Sequence, residues 1–301
     1  MTDLSFHGQD VRPTAPAEAL FHVIPVPFER SVSYGTGTAA GPAAILEASG
    51  QLELFDGRSI PAAAGIHTSP PIDCDGTTLE VLSRIEDRVA ATLALNKIPV
   101  VLGGEHSVTC GVIPALAQQY ADFGVIQFDA HADLRDNYEG SRHSHACVMR
   151  RIHERRIPIY QLGTRSYSLE EHHYRQEQRI AYRDAEDIWR SGADLRLPAD
   201  FPEKVYITFD IDGLDSAIIP ATGTPVPGGL SWYQAVWLVE EIMNTRICIG
   251  FDVVELAPIS GLHGPSFAAA QLTYAMMGYL TRSPKNMAYW QIPAWPPPNP
   301  D

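Results

Sequence analysis

Basic residues are scarce in this chain: 22 Lys and Arg stand against 36 Asp and Glu in 301 residues, a formal net charge of −14. A nucleic acid or an anionic membrane surface needs a basic face to bind, so neither is an expected partner. Cysteine is scarce too. Cys74, Cys110, Cys147 and Cys248 are scattered without a C-x-x-C pair, which argues against a disulfide framework and for intracellular free thiols. No apolar run approaches the roughly 20 residues of a membrane span. The opening MTDLSFHGQDVRPTAPAEAL lacks a basic segment followed by an apolar one, so no signal peptide is expected and the expected compartment is the cytoplasm. Two motif classes are missing as well. In YGTGTAAGP, Ala40 occupies the place of the third glycine of a dinucleotide fingerprint, and no G-x-S-x-G elbow surrounds Ser107. Ser107 is therefore expected to cap the helix that comes after it.

What is present is core-forming. Hydrophobic residues make up 45% and charged ones 19%, enough apolar material for a sizeable interior. The runs FHVIPV (21–26), IPVVLGG (98–104), FGVIQFDAH (123–131), IPIYQLG (157–163), KVYITFDID (204–212) and ICIGFDVVE (247–255) are apolar at successive positions. Strands covered by helices on both sides have this pattern. Helical segments alternate with them. TTLEVLSRIEDRVAATLAL opens with Thr77 and Glu80 at capping-box spacing and carries a stripe of Leu79, Leu82, Ile85, Val89 and Leu93. SWYQAVWLVEEIMN repeats the device with Ser231 and Gln234, and Pro42 after Gly41 suits the first turn of a short helix. The alternation predicts an α/β chain with a doubly wound sheet. No internal repeat or dividing linker appears, so one domain over 1–301 is expected, with a Pro-rich tail at 292–301.

The chemistry sits at the ends of three expected strands. After Phe128 come Asp129, His131 and Asp133; after Phe209 come Asp210 and Asp212; after Gly103 and Gly104 comes His106. If extended geometry continues past each apolar run, alternate side chains converge on one side, and open parallel sheets place sites beyond the carboxyl ends of their strands. Each motif alone has an ordinary reading: a satisfied polar turn, a helix cap, a structural histidine. Together they bring four aspartates to one edge, and close carboxylates cannot all stay ionised without positive charge among them. One divalent ion leaves two negative charges uncompensated; two ions balance the set. Hard oxygen with some imidazole and no thiolate favours Mn²⁺, with Ni²⁺, Co²⁺ or Fe²⁺ able to substitute. The acidic surplus of the whole chain suits a cationic substrate.

The segments GGEHS (103–107), FDAHADLRD (128–136), SHACVMR (144–150), FDIDGLDSAIIPATGTPVPGGL (209–230) and GFDVVELAP (250–258) resemble the ureohydrolase family of arginases and agmatinases, most of all its bacterial agmatinases. The resemblance implies a three-layer α/β/α sandwich around a mainly parallel, roughly eight-stranded sheet, and a homo-oligomer, trimeric or hexameric. It implies two Mn²⁺ per subunit: His106, Asp129, Asp133 and Asp210 on one, Asp129, His131, Asp210 and Asp212 on the other, with a hydroxide between them as nucleophile. Glu255 matches the carboxylate that clamps the substrate guanidinium, and His145 the histidine that shuttles protons at the mouth. Asp133 could move the nucleophile's remaining proton to the leaving amine.

Substrate choice rests on fewer residues. Arginases hold the α-amino group of arginine with an aspartate in the stretch matching LGTRSYSLEE, where Ser168 stands here. That loss favours agmatine, cleaved to putrescine and urea in polyamine biosynthesis, with Glu171 near enough to receive a distal ammonium. Arg135 runs the other way, since it would suit a substrate carboxylate unless Asp136 or Glu139 neutralises it. Guanidinobutyrate, N-aminopropylagmatine, guanidine, arginine and formiminoglutamate remain alternatives. Two other classes are open: a single-zinc deacylase, in which His106, Asp133 and Asp212 would be dispensable, and a catalytically silent metal-binding or assembly subunit.

Overall fold

The computed structural model describes residues 4–294 apart from 9, 12 and 13, so the expected tail lies outside the described residues from Trp295 onward. The strands in chain order are β1 (Phe21–Val26), β2 (Ile66–Thr68), β3 (Ile98–Gly103), β4 (Gly124–Phe128), β5 (Ile159–Leu162), β6 (Ala181–Arg183), β7 (Lys204–Asp210) and β8 (Ile247–Val254). They form one eight-stranded sheet in the order β2-β1-β3-β8-β7-β4-β5-β6. Every neighbouring pair is parallel. The apolar runs mark all strands except β2 and β6. These two lie at the sheet edges and are three residues long, too short to leave a run that periodicity can detect.

The helices are α1 (Gly41–Ser49), α2 (Thr78–Ala94), α3 (Thr109–Gln119), α4 (Val148–Glu154), α5 (Leu169–Glu177), α6 (Ala185–Ser191), α7 (Trp232–Thr245), α8 (Gly264–Arg282) and α9 (Pro284–Trp290). Strand alternation assigns them to two layers. Val23, Leu102, Ile126, Phe128, Ile207 and Phe209 face one apolar cluster with side chains of α1, α7 and α8. Ile24, Val101, Val125, Tyr206 and Ile249 face the other with α2, α3 and α4. The result is the expected three-layer α/β/α sandwich with both sheet faces buried, as an all-parallel sheet requires. The capping boxes of α2 and α7 form as their spacing predicts. Along α2, Leu79 departs from the expected stripe: it is exposed in the first turn, and Val81 takes the buried place.

Register aligns the strand ends that matter. Leu102 pairs with Val253, Val253 with Phe209, and Phe209 with Phe128. The next positions of the four central strands, Gly103, Val254, Asp210 and Asp129, therefore stand in one row across the sheet. His106 and Glu255 come within three residues of it. Phe128 and Phe209 stack with ring centroids 4.7 Å apart, which fixes the floor beneath the two aspartates.

Gly104 is what lets the chain leave β3 toward this row. A Cβ there would collide with the Phe28 carbonyl oxygen, so the requirement is close approach of two backbones. Gly104→Ala should lower stability by about 3 kcal/mol, the upper range for overpacking, read as a lower urea midpoint. An unchanged midpoint would show that the two segments can separate freely.

Candidate metal centre and substrate pocket

The chain does not bring its ligands together by continued strand alternation, contrary to that expectation. β4 ends at Phe128 and β7 at Asp210, and beyond each of them the backbone turns tightly. Asp212 sits in a one-turn 3-10 helix, Ile211–Gly213, whose start is capped by Asp210 through its Oδ1, which accepts from the Asp212 amide at 2.9 Å. Asp133 and Glu255 hold left-handed φ values of 52° and 66°, costly for non-glycine residues and typical of positions fixed by function. Asp129 Oδ1 accepts from the His131 amide at 2.6 Å, so the first carboxylate folds the turn that carries the next ligand.

Two groups result, and Asp129 belongs to both: His106 with Asp129 and Asp210, and His131 with Asp129 and Asp212. His106 Nδ1 lies 3.2 Å from Asp129, 3.0 Å from Asp133 and 3.5 Å from Asp210. His131 Nδ1 lies 3.5 Å from Asp129 and 3.1 Å from Asp212. All four aspartates and His106 are buried.

Buried neighbours aim these side chains. His106 Nε2 lies 2.8 Å from Thr208 Oγ1, whose own proton goes to Asp252 Oδ1 at 2.7 Å. The threonine oxygen must then accept from Nε2–H, so Nδ1 presents a lone pair to the carboxylates. Asp252 is held in turn by Thr109 and Tyr206, each donating at 2.9 Å. Gln161 donates to Gln127 at 2.6 Å, and Gln127 donates to Asp129 Oδ2 at 2.6 Å. Arg165 donates to the carbonyls of Gly163, Asp212, Leu214 and Val226, tying the Asp212 turn to the loop behind it. Sequence reasoning passes over these supports. The available signal was polarity in the wrong place: Gln127, Gln161, Thr208 and Asp252 interrupt strands that are otherwise apolar.

The electrostatics fit metal. Burial, then the charge of Asp129, pushes the Asp133 carboxyl up to about 7. Burial, then Asp212 and Asp129, holds Asp210 well above the usual carboxylate range. Burial opposes a cation at His131, yet Asp212 and Asp129 outweigh it and carry its pKa up to about 12. Carboxylates forced toward protonation beside an imidazole forced into a cation mark a place short of positive charge. His106 Nδ1 is buried without a hydrogen-bond partner although three carboxylates surround it, the arrangement of a ligand atom directed at an ion. A single ion on Asp129, His131 and Asp212 would leave His106, Asp133 and Asp210 unexplained, which disfavours the single-zinc deacylase reading.

Above the two groups lies a small cavity lined by Val32, Ser33, His131, Asp133, His145, Asp210, Asp212, Gly223, Thr224 and Glu255. Glu255 Oε1 accepts from the His106 amide at 2.6 Å, and burial raises its carboxyl well above the ordinary value. His145 stands at the wall with Nε2 3.0 Å from Ser33 Oγ. Three other expected contacts are placed elsewhere. Ser168 caps α5 in a capping box with Glu171. Glu171 is buried, accepts from the Ser168 amide at 2.8 Å and from the Leu134 amide at 3.0 Å, and so is engaged rather than offered to the cavity. Arg135 lies 3.8 Å from Glu171 and packs over the Tyr138 ring at 5.1 Å. Its neutralising partner is Glu171, whereas Asp136 pairs with Arg142 and Arg151. Ser107 does not cap α3; its hydroxyl donates to Glu105.

Two such ligand groups at the carboxyl end of an all-parallel sheet make a candidate metal centre, and the chain belongs to the arginase family, whose model matches residues 19–278. It is 37% identical over 281 residues to N(1)-aminopropylagmatine ureohydrolase of Synechocystis sp., covering 88% of this chain and 90% of that protein. Against the agmatinase of Pyrococcus horikoshii it is 31% identical over 271 residues, covering 88% and 93%. The crystal structure of agmatine ureohydrolase of Thermoplasma volcanium superposes with a TM-score of 0.85 at 29% identity, covering 97% of both chains. Among the described residues no helix is long and apolar enough to cross a membrane.

Thr208→Val keeps the shape of the residue and removes the acceptor for His106 Nε2–H. Divalent-metal affinity should fall by about 10- to 100-fold, measured by competition with a chelator, with the fold unchanged by circular dichroism. Unchanged affinity would show that His106 needs no such partner.

Proposed function

We propose that this protein hydrolyses the guanidino group of a linear, cationic alkylguanidine of the agmatine type, releasing urea and an amine, with two divalent ions per chain. The observation that carries the reading is the Glu255 carboxylate in the same cavity as two ligand groups that share Asp129. His106, Asp129, Asp133 and Asp210 would hold one ion and Asp129, His131, Asp210 and Asp212 the other; manganese is the first choice for this oxygen-rich set. Bound there, the pair supplies Lewis acidity and a water of much lowered pKa.

The chain's own groups supply the rest. Glu255 accepts two guanidinium N–H groups in a charge-assisted, bidentate contact and aims the carbon at the ligand cluster. Asp133, in contact with the same cavity, receives a proton from the attacking water and passes it toward the nitrogen that leaves. His145 exchanges protons between the departing amine and solvent. Breaking the bond between the guanidinium carbon and the alkyl-bearing nitrogen gives urea and the free amine.

For the substrate itself, N(1)-aminopropylagmatine stands first. Three relatives at 36–37% identity carry that activity in their names, and those named agmatinase reach 31–35%. Agmatine is the second reading, favoured by the same lack of a carboxylate at position 168 to hold an amino-acid head group. Arg135 does not oppose either, because Glu171 and Tyr138 engage it. A cytoplasmic homo-oligomer accords with the family resemblance.

Urea release from a panel of guanidino compounds in the presence of Mn²⁺ tests the reading. N(1)-aminopropylagmatine and agmatine should be cleaved, with arginine and guanidinobutyrate slower by about tenfold or more, the cost of one unmatched charged contact. Formiminoglutamate, which has no guanidino group and would release formamide rather than urea, should not be cleaved when followed by formamide release. Glu255→Gln should lower kcat/KM by about 10- to 100-fold, as expected for one charge-assisted contact. Inactivity on every compound would contradict the reaction, and preference for a carboxylate-bearing substrate would contradict the class.

A further inference from the structure

Beside the cavity, the segment after β1 and the loop carrying His145 meet over a buried acid that the mechanism does not use. Glu105 is fully buried. Its Oε2 accepts from the amides of Arg30 at 2.5 Å and Ser31 at 2.6 Å. Its Oε1 accepts from Ser31 Oγ at 2.8 Å and from Ser107 Oγ. Among the described residues, all four of these contacts donate to the Glu105 oxygens. Ser31 then reaches His145 twice: the His145 amide donates to Ser31 Oγ at 3.0 Å, and His145 Nδ1 lies 3.2 Å from the same oxygen.

We propose that Glu105 and Ser31 are a positioning pair for His145, holding its imidazole with the proton on Nδ1 so that Nε2 is free to exchange protons at the cavity. A hydroxyl has one proton and two lone pairs. The proton of Ser31 goes to Glu105, which cannot donate back. One lone pair takes the His145 amide and the other is left for Nδ1, which must therefore donate. Neutral His145 then keeps its lone pair on Nε2, beside the Ser33 hydroxyl at 3.0 Å, and Ser33 shares the cavity wall with it. The Ser33 hydroxyl can donate to bare Nε2 and turn to accept from Nε2–H, so both states of a proton carrier are accommodated. Among the described residues, the ring's further polar contact is Ser144 Oγ, at a longer 3.3 Å from Nδ1. The edge of Tyr138 closes the side, with ring centroids 5.8 Å apart. This inference rests on His145 being the proton carrier of the proposed reaction.

Geometry makes one substitution diagnostic. In Glu105→Gln the side-chain oxygen must stay at the Oε2 position, where two backbone N–H groups need an acceptor, so the amide nitrogen takes the Oε1 position. Ser31 would then accept from that nitrogen, and its proton would turn to His145 Nδ1. Long-range proton–nitrogen NMR of the imidazoles, in the full chain loaded with diamagnetic Zn²⁺, reads this directly, with His145 assigned from its loss in His145→Asn. The unsubstituted protein should show Nδ1 protonated and Nε2 bare. Glu105→Gln should show the reverse, with kcat for urea release down by about 10- to 100-fold and KM little changed. Ser31→Thr should keep the original pattern, and Ser144→Ala should leave it alone. Nε2–H in the unsubstituted protein, or an unmoved pattern in Glu105→Gln, would overturn the pair. Full urea release by His145→Asn, with the tautomer pattern as stated, would instead overturn the assignment of His145 as proton carrier.

Discussion

Everything around the site answers to the carboxylate of Asp129. It is fully buried, lies 3.2 Å from His106 and 3.5 Å from His131, and belongs to both of the side-chain groups that cluster at the site. A buried charge of this kind is tolerable only where opposite charge meets it. Its two oxygens face different imidazoles, so the demand is for positive charge on both sides. The sheet register, the stacked Phe128 and Phe209 rings, the glutamine chain from Gln161 and the turn folded over Asp129 Oδ1 all serve to hold that one group in place.

The position of the four central strands divides the labour. Their carboxyl ends stand in one row, and each delivers one kind of chemistry: β4 and β7 the aspartates, β3 the histidine His106, β8 the proposed clamp Glu255. The loops beyond them supply His131, Asp133 and His145. Asp133 and Glu255 adopt left-handed backbone that neither would choose alone. Rigid elements therefore hold the shared ligands, and strained turns hold the groups proposed to handle protons and substrate. This agrees with strain being stored where a side chain must point against local preference.

Much of this was legible in the residues, and the limits of legibility are physical. Long apolar runs marked the six strands that are buried on both faces, because full burial leaves no polar alternation; β2 and β6 left no mark because three residues at an edge need none. The metal-ligand motifs were visible because aspartates and histidines rarely crowd after an apolar run. How they converge was misread: side-chain alternation stops with the strands, and the turns at Asp133 and Asp212 bring the ligands together through backbone conformations that sequence spacing does not encode. Glu171 looked like a substrate contact and is a helix cap with a second buried partner. The polar supports Thr208, Asp252 and Gln127 were hidden inside strands, where a single polar letter in an apolar run carries little signal until its partner across the sheet is known.

The proposed reaction depends on two ions meeting at Asp129, and that can be counted. Anomalous diffraction at the manganese absorption edge from crystals of the Mn²⁺-loaded protein tests it most directly. The account predicts two peaks per chain, one beside His106 and one beside His131, both in contact with Asp129. A single peak held by Asp129, His131 and Asp212 alone would contradict it.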